Sequence, residues 1–517
     1  MSEQPTRRDV LRGVPLVPLV AAGLAVGGDA GPASAQFGTG PRGKPQPKAD
    51  PNTPRLRAGA ATSNITPALG GEIVGGFRPV PSDHVHDDLH ARCLVLDNGG
   101  AKVALVVCDL LGADKAVFDE ARRLVTAETG LPGAHLFMSC THTHSATSAL
   151  GKNRFAPQPA DLDDYQRFVA RRIADGVRRA VKNLAPAQVG WAVGSEPREV
   201  FNRRWFMKPG TVPANPFGET TDRVKMNPPR ASPDLDKPAG PTDPEVSVLA
   251  VRRPDGQPIA VYASYSLHYV GGVRGTDVSA DYFAVFCDRI QQLLGGDRQD
   301  PPFVAMLANG TSGNINNIDF SKKAEKRAPY EKMREVADRV ARAAHTAYQA
   351  IVWKDSAPLA GKLGYLEVGV RHPTADQLAR AKVVLAQKKT DAAVSLERIY
   401  AERTIRLSEW PDSLPLPLQV VRIGDVAIGG IPCEVFVETG LAFKARSPFK
   451  PSLIVSLNNG YYGYLPTPEH HNLGGYETWL GTNRLEKHAS TKILDRLLEM
   501  VAALKLRRPG RPDRQQA

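Results

Sequence analysis

Long apolar runs, paired cysteines and aromatic-studded basic patches are all missing from this 517-residue chain. Beyond the first residues no segment offers roughly 20 uninterrupted apolar positions, so no membrane-spanning helix is predicted there. The five cysteines, Cys93, Cys108, Cys140, Cys287 and Cys433, are an odd and widely scattered set without a Cys-x-x-Cys. They point to neither a disulfide framework nor a thiolate zinc site, and read as small core residues in apolar strands. The formal net charge is +12, but much of the excess sits at the ends, in residues 42–57 and from Lys505 through Arg514, which read as solvated tails. Without aromatics interleaved among the basic residues, nucleic acid is not an expected partner. Peripheral contact with anionic lipid headgroups stays open. No internal repeat is evident.

What is there begins with a leader. Thr6-Arg7-Arg8-Asp9-Val10-Leu11-Arg12 precedes an apolar run over residues 14–27, followed by small residues at Ala33-Ser34-Ala35. This pattern resembles a twin-arginine signal peptide over residues 1–35, which implies export to the periplasm or beyond. The run is short and broken by Pro15 and Pro18, which weighs against a spanning helix. Residues 36–56 are rich in Gly, Pro and Lys and read as a linker. Residues 57–505 read as one large domain, 506–517 as a basic tail. With 42% hydrophobic residues the chain can bury a large core.

Within that domain, strands and helices alternate. Residues 102–110 have a buried-strand pattern, 115–128 helical periodicity, and 134–139 a second strand, predicting a β-α-β unit with parallel strands. Further strands are predicted at 258–266, 303–307, 418–423, 426–431 and 452–457, the pair around Gly424-Asp425 forming a hairpin. Helices are predicted at 163–183, 280–294, 330–352, 375–388 and 484–504. Residues 204–244, proline-rich and weakly periodic, read as a long surface excursion near the pocket or as a disordered insert. The expected class is α/β, with a central mixed sheet and flanking helices.

Several of these strands end in ligand-capable residues. His142 and His144 follow the strand at 134–139, and residues two apart in extended chain face the same side, as a metal site requires. His268, Glu434 and Tyr461 to Tyr464 lie past the ends of others, where open α/β sheets place ligands. The ordinary alternatives are hydrogen-bonded loop or core histidines, a helix-capping carboxylate at Glu434 with Asp109 as a strand-end cap, and tyrosines that only line a core.

Taken in order, Ala58-Gly59-Ala60-Ala61-Thr62-Ser63-Asn64-Ile65-Thr66-Pro67, Val85-His86-Asp87-Asp88-Leu89-His90-Ala91-Arg92, Thr141-His142-Thr143-His144-Ser145, Asn202-Arg203, Tyr265 to His268, Pro432-Cys433-Glu434, Gly463-Tyr464 and Gly474-Gly475-Tyr476-Glu477 resemble the catalytic domain of the neutral/alkaline, non-lysosomal ceramidases. The resemblance implies a catalytic Zn2+ held by His142, His268, Glu434 and Tyr464, with Tyr461 as an alternative tyrosine. It implies that His144 and Arg203 handle protons and the substrate carbonyl, and that Tyr476 helps bind the developing oxyanion.

Those residue types suit the chemistry. Imidazole and carboxylate are ordinary zinc ligands, zinc polarises a poorly electrophilic amide and activates water, and Arg203 with Tyr476 offsets the charge that develops. His144 suits proton transfer because an unperturbed imidazole titrates near neutrality. Two departures bear on substrate: Gly313-Asn314-Ile315-Asn316-Asn317 has amides where the family has an acid and a hydroxyl, and no carboxyl-terminal immunoglobulin-like domain is evident after Leu504. The expectation is an exported zinc amidohydrolase acting on an N-acyl amide such as ceramide. The alternatives are an esterase or deacylase on another lipid or a cell-wall substrate, and a noncatalytic lipid-binding protein.

Overall fold

A strand whose successive residues are all apolar needs cover on both faces, and this requirement organises the chain. The computed structural model describes residues 55–151, 161–387 and 395–506. The leader, most of the linker and nearly all of the basic tail lie outside the described residues.

The first sheet contains β1 (Arg57–Asn64), β2 (His90–Asp97), β3 (Lys102–Cys108) and β4 (Leu136–Cys140), in the order β4-β3-β2-β1, with the short strand Ala185–Pro186 at the β1 edge. β1, β2 and β3 run as an antiparallel meander, and α1 (Lys115–Thr129) then crosses over to β4, which is parallel to β3. The helix α2 (Asp164–Lys182) follows. Side chains alternate by face: Cys93, Val95, Ala104 and Val106 pack beneath α1 and α2, whereas Leu94, Leu96, Val103 and Leu105 face the opposite way.

The same path is traced twice more. β5 (Gln188–Ser195), β6 (Glu245–Arg252) and β7 (Pro258–Tyr265) form a meander, α3 (Tyr282–Leu293) leads to β8 (Val304–Asn309) parallel to β7, and α4 (Glu331–Gln349) closes the unit. In the third unit β9 (Leu359–Gly369) is followed by α5 (Ala375–Ala386) and α6 (Leu396–Ser408) before β10 (Ser413–Ile423) and β11 (Val426–Ile431) complete the meander. There α7 (Val437–Arg446) leads to β12 (Ser452–Ser456), parallel to β11, and α8 (Ala489–Leu506) ends the unit. The helices that pack on each sheet lie on one face, while α5 and α6 pack on each other. The other faces meet in one shared core, where Leu94, Leu105 and Phe137 of the first sheet join Leu249, Tyr262 and Met306 of the second and Val421, Ile428 and Val455 of the third.

The class is therefore α/β with mixed pairing, as read from the sequence, but the longer of the described strands are divided among three mixed sheets instead of one central sheet. The β-β-β-α-β-α path repeats without a visible sequence repeat, because it depends on apolar alternation and turn placement more than on residue identity. The predicted β-α-β unit is present, its second strand shortened by a 3-10 turn at Gly133–His135.

Residues 204–244 are a surface excursion, most of them exposed or half-buried, but an ordered one and not a disordered insert. Arg204–Met207, Val224–Met226 and Leu235–Pro238 form a three-stranded sheet in which the Arg204 side chain is fully buried. Prolines flank these short strands, which hid their periodicity. The last helix begins at Ala489, five residues later than predicted, and runs past Lys505, whose Nζ donates to the Pro448 carbonyl. All five cysteines are buried and free. Among the described residues no helix is long and apolar enough to cross a membrane.

Candidate metal centre

Each unit sends the carboxyl ends of its two parallel strands toward one place. In the first, β4 ends at Cys140 and the chain turns sharply at His142, whose φ of 68° lies in the left-handed region that costs a non-glycine residue backbone strain. The His-x-His pair is thus not extended. This turn brings the two rings edge to face with centroids 4.7 Å apart. From the second unit His268 follows β7, its ring perpendicular to that of His142 at 4.7 Å. From the third, Glu434 follows β11 and lies in a two-residue strand parallel to Tyr464–Leu465.

The imidazoles are oriented by backbone. His142 Nδ1 donates to the Leu111 carbonyl at 2.6 Å, and His268 Nδ1 to the Ser312 carbonyl at 3.1 Å. Fixing the proton on Nδ1 leaves each Nε2 with its lone pair aimed inward, the arrangement that metal-binding histidines adopt. The Glu434 Oε2 atom lies 3.1 Å from His142 Nε2 and 3.6 Å from His268 Nε2. His144 Nε2 is 3.2 Å from His142 Nε2, and the three histidines together could hold a metal ion. Glu434 Oε2 and His268 Nε2 are both buried without a hydrogen-bond partner. Buried acceptors that converge without a hydrogen-bond partner are costly unless a cation sits between them, so the donor set fits a divalent ion.

Charge states agree with this. Burial alone would raise the Glu434 carboxyl, but His142, His268 and a hydrogen bond from Tyr464 outweigh it and hold the group far below the usual carboxylate range. Tyr461 Oη donates to Glu434 Oε1 at 2.7 Å. Burial, then the neighbouring His142 and Arg203, push His144 and His268 well below ordinary imidazole values, so both rings are neutral. The sequence-based expectation that His144 titrates near neutrality is therefore corrected: enclosure removes the water that would solvate its cation. Its ring stacks on Tyr269 at 3.7 Å between centroids.

Arg203 approaches from the side. Its Nη2 donates to Tyr464 Oη at 3.0 Å and its Nε pairs with Glu477 Oε1 at 2.9 Å, while Arg204 Nη1 reaches Glu477 Oε2 at 2.6 Å. One buried carboxylate thus holds two buried guanidinium groups. Burial would raise Glu477, but Arg204 and Arg203 pull it below its usual value. Tyr476 meets Tyr464 edge to face at 5.8 Å, and burial pushes its phenol up to about 12, so it stays a donor.

All the residues expected from sequence meet here. His142, His144, Glu434, Tyr461, Tyr464 and Tyr476 line a single cavity of about 170 Å³. His268 lies behind His142, and Arg203 behind Tyr464. Both tyrosine alternatives reach Glu434. Asp109 takes the His90 amide at 3.0 Å and pairs with Arg92 at 3.4 Å, as a strand-end cap would. Asn314 and Asn316 are not among the lining residues. Asn314 Oδ1 accepts from the Val437 amide at the start of α7 and its amide donates to Glu438, while Asn316 bonds Asn227 and the Ile318 amide. The departure from the family pattern is thus structural.

Sequence reading missed Glu477, Tyr269, Arg403 and Arg484, the last two also lining the cavity. Glu477 adjoins Tyr476 in the Gly-Gly-Tyr-Glu motif, and an acid there was the available signal. Nothing local marks the other three.

No protein-family model and no curated protein matches the chain. Solved structures do. A ceramidase complexed with C2 superposes with a TM-score of 0.63 at 16% identity, covering 87% of this chain and 75% of that one. The neutral ceramidase from Pseudomonas aeruginosa gives a TM-score of 0.63 at 18% identity, covering 89% and 76%. The chain has the neutral ceramidase fold. At such identity the ceramidase likeness speaks for the path of the chain, and what the centre does is argued from its residues.

Proposed function

We propose that this protein is a zinc-dependent hydrolase of N-acyl amide bonds, with the ion held by His142, His268, Glu434 and Tyr464. The observation that carries the reading is the convergence of His142 Nε2, His268 Nε2 and Glu434 Oε2, the last two without a hydrogen-bond partner. Two imidazoles, a carboxylate and a phenol form a nitrogen-oxygen set suited to zinc. When bound, the ion supplies Lewis acidity toward a carbonyl and lowers the pKa of water.

The chain's own groups supply the rest. His144, neutral in its pocket, is placed to orient attacking water as a hydrogen-bond acceptor, and its depressed basicity suits it to hand any proton it takes on to the departing nitrogen. Arg203, kept cationic by Tyr464 and Glu477 against burial, and the protonated Tyr476 offer donors to a developing oxyanion. An apolar groove of about 570 Å³, lined by Leu69, Val74, Tyr165 and Phe168 among others, shares Val74 with the metal cavity and has room for an acyl chain. The ceramidase fold makes ceramide a candidate substrate.

Purified protein assayed on N-acyl amides, after chelation and after zinc is restored, tests this. Activity lost and regained with zinc is expected. Ester cleavage alone, or amide cleavage indifferent to chelation, contradicts it. We further place the protein outside the cytoplasm, on the Arg7-Arg8 leader. Replacing both arginines by lysine should retain the protein inside cells, and unchanged export would refute the assignment.

A further inference from the structure

His142 and His268 are each aimed by a carbonyl of their own unit. His144 is held from across the boundary between units. Its ring lies on that of Tyr269, which follows His268 in the second unit, with centroids 3.7 Å apart and planes 15° from parallel. The torsion that turns an imidazole about its Cβ–Cγ bond is broad, so packing against the ring face decides where Nε2 points. That atom stands 3.2 Å from His142 Nε2, at the edge of the metal centre.

Tyr269 is itself located by a short segment, Ser279-Ala280-Asp281. Asp281 is fully buried just ahead of α3, and its two carboxylate oxygens accept the amides of Val270 at 3.2 Å and Gly271 at 2.8 Å, the residues that follow Tyr269. The same segment grips both neighbours of His144. Thr143 Oγ1 donates to the Ser279 carbonyl at 2.8 Å, and the Ser279 amide donates to the Ser145 carbonyl at 2.7 Å. Asp87 fixes the segment in turn, its carboxylate accepting the Ser279 hydroxyl at 2.6 Å and the Ala280 amide at 2.7 Å. Imidazole and stacked ring are thus registered on one three-residue clamp. Asp281 has a φ of 59°, and backbone strain kept at a buried residue marks a constraint beyond packing.

Resting on the amide-hydrolase reading above, we propose that Tyr269, located by Asp281, is the positioning residue that aims His144 at the attacking water. Among the described residues that line the cavity Tyr269 does not appear, so it acts through the imidazole and not by touching substrate. A His144 ring free to turn would leave the metal ligands in place but offer water its acceptor only part of the time, a cost that falls on the chemical step.

The test uses the full-length, zinc-loaded protein on dodecanoyl ceramide and N-dodecanoylethanolamine, following whichever the wild type cleaves faster. Tyr269→Leu should lower kcat at least about tenfold, with KM within about twofold of wild type and zinc content unchanged. Tyr269→Phe, which keeps the stacked ring, should restore most of kcat. Asp281→Asn should lower kcat less, and combining it with Tyr269→Leu should be no slower than Tyr269→Leu alone, because both act through one ring. In a crystal structure of Tyr269→Leu the His144 ring should leave its present orientation. Unchanged kcat, zinc lost in step with kcat, a Phe variant as slow as the Leu variant, losses that multiply in the pair, or an unmoved ring would overturn the proposal. If Tyr269→Leu does not fold, kcat and zinc content of Asp281→Asn and the His144 orientation in its crystal structure decide. Cleavage of neither substrate by the wild type counts against the hydrolase reading instead. The crystal structure of Tyr269→Leu then decides the positioning role, a displaced ring sustaining it and an unmoved one overturning it.

Discussion

The first and second units follow one path yet divide their labour in opposite ways. In the first, the end of the last strand, β4, carries the histidines, and the end of its parallel neighbour β3 supplies the Leu111 carbonyl that orients His142. In the second, the neighbour β7 carries His268 and the end of the last strand β8 supplies the Ser312 carbonyl. The third resembles the second, with Glu434 after β11 and Tyr461, which donates to it, after β12. A unit therefore needs both carboxyl ends of its parallel pair, one to present the ligand and one to aim it. Which strand takes which part is free to vary.

If ligand and support are unequal, their removal should separate cleanly. Glu434→Gln removes the charge on which the histidines converge, and should cut kcat/KM by at least about a thousandfold while leaving most of the protein without metal. Near-normal metal content in that variant would break the comparison.

Next in size is the support beneath Arg203. Glu477→Gln leaves two buried guanidinium groups without their carboxylate and should cost about 3–5 kcal/mol of stability, read from denaturant unfolding. Because the folded-state pKa of Glu477 is depressed, its contribution is fully present above the unfolded value of about 4.3 and is lost as pH falls through the folded value. Wild-type stability should thus decline on acidification below about pH 4.3, and the variant should show a shallower decline. An unchanged acid limb would argue against this role.

Tyr461→Phe tests the third unit's support. Losing its hydrogen bond to Glu434 should weaken metal affinity about 10- to 100-fold in competitive chelation. Tyr464→Phe should weaken it more if Tyr464 is the ligand, and the reverse order would exchange the two tyrosines. The smallest effect concerns close packing: a Cβ at Gly313 would lie 2.6 Å from the Glu434 carbonyl oxygen. Gly313→Ala should cost about 1–3 kcal/mol by displacing that strand.

How much of this was legible beforehand follows from what each residue announces locally. His142, His144, His268 and Glu434 sit just past apolar strands, so their convergence could be read from pattern, and the ordered motifs supplied Arg203, Tyr464 and Tyr476. The split into three sheets could not, because apolar residues on both faces of β2 and β3 fit a central sheet as well as a stacked one. The His142 turn was read as extended, since no glycine marks its positive φ. The helix α7 went unseen behind Thr439 and Gly440, residues of weak helical preference. Arg403 and Arg484 reach the cavity from distant elements and carry no motif.

Zinc-edge X-ray absorption on the purified wild-type protein, with metal content measured on the same sample, tests the central claim most directly. The account predicts a zinc ion in a shell of nitrogen and oxygen donors that includes two imidazoles, one ion per chain. Protein that binds no zinc when supplied with it, or binds it equally well after His268→Ala and Glu434→Gln, would contradict it.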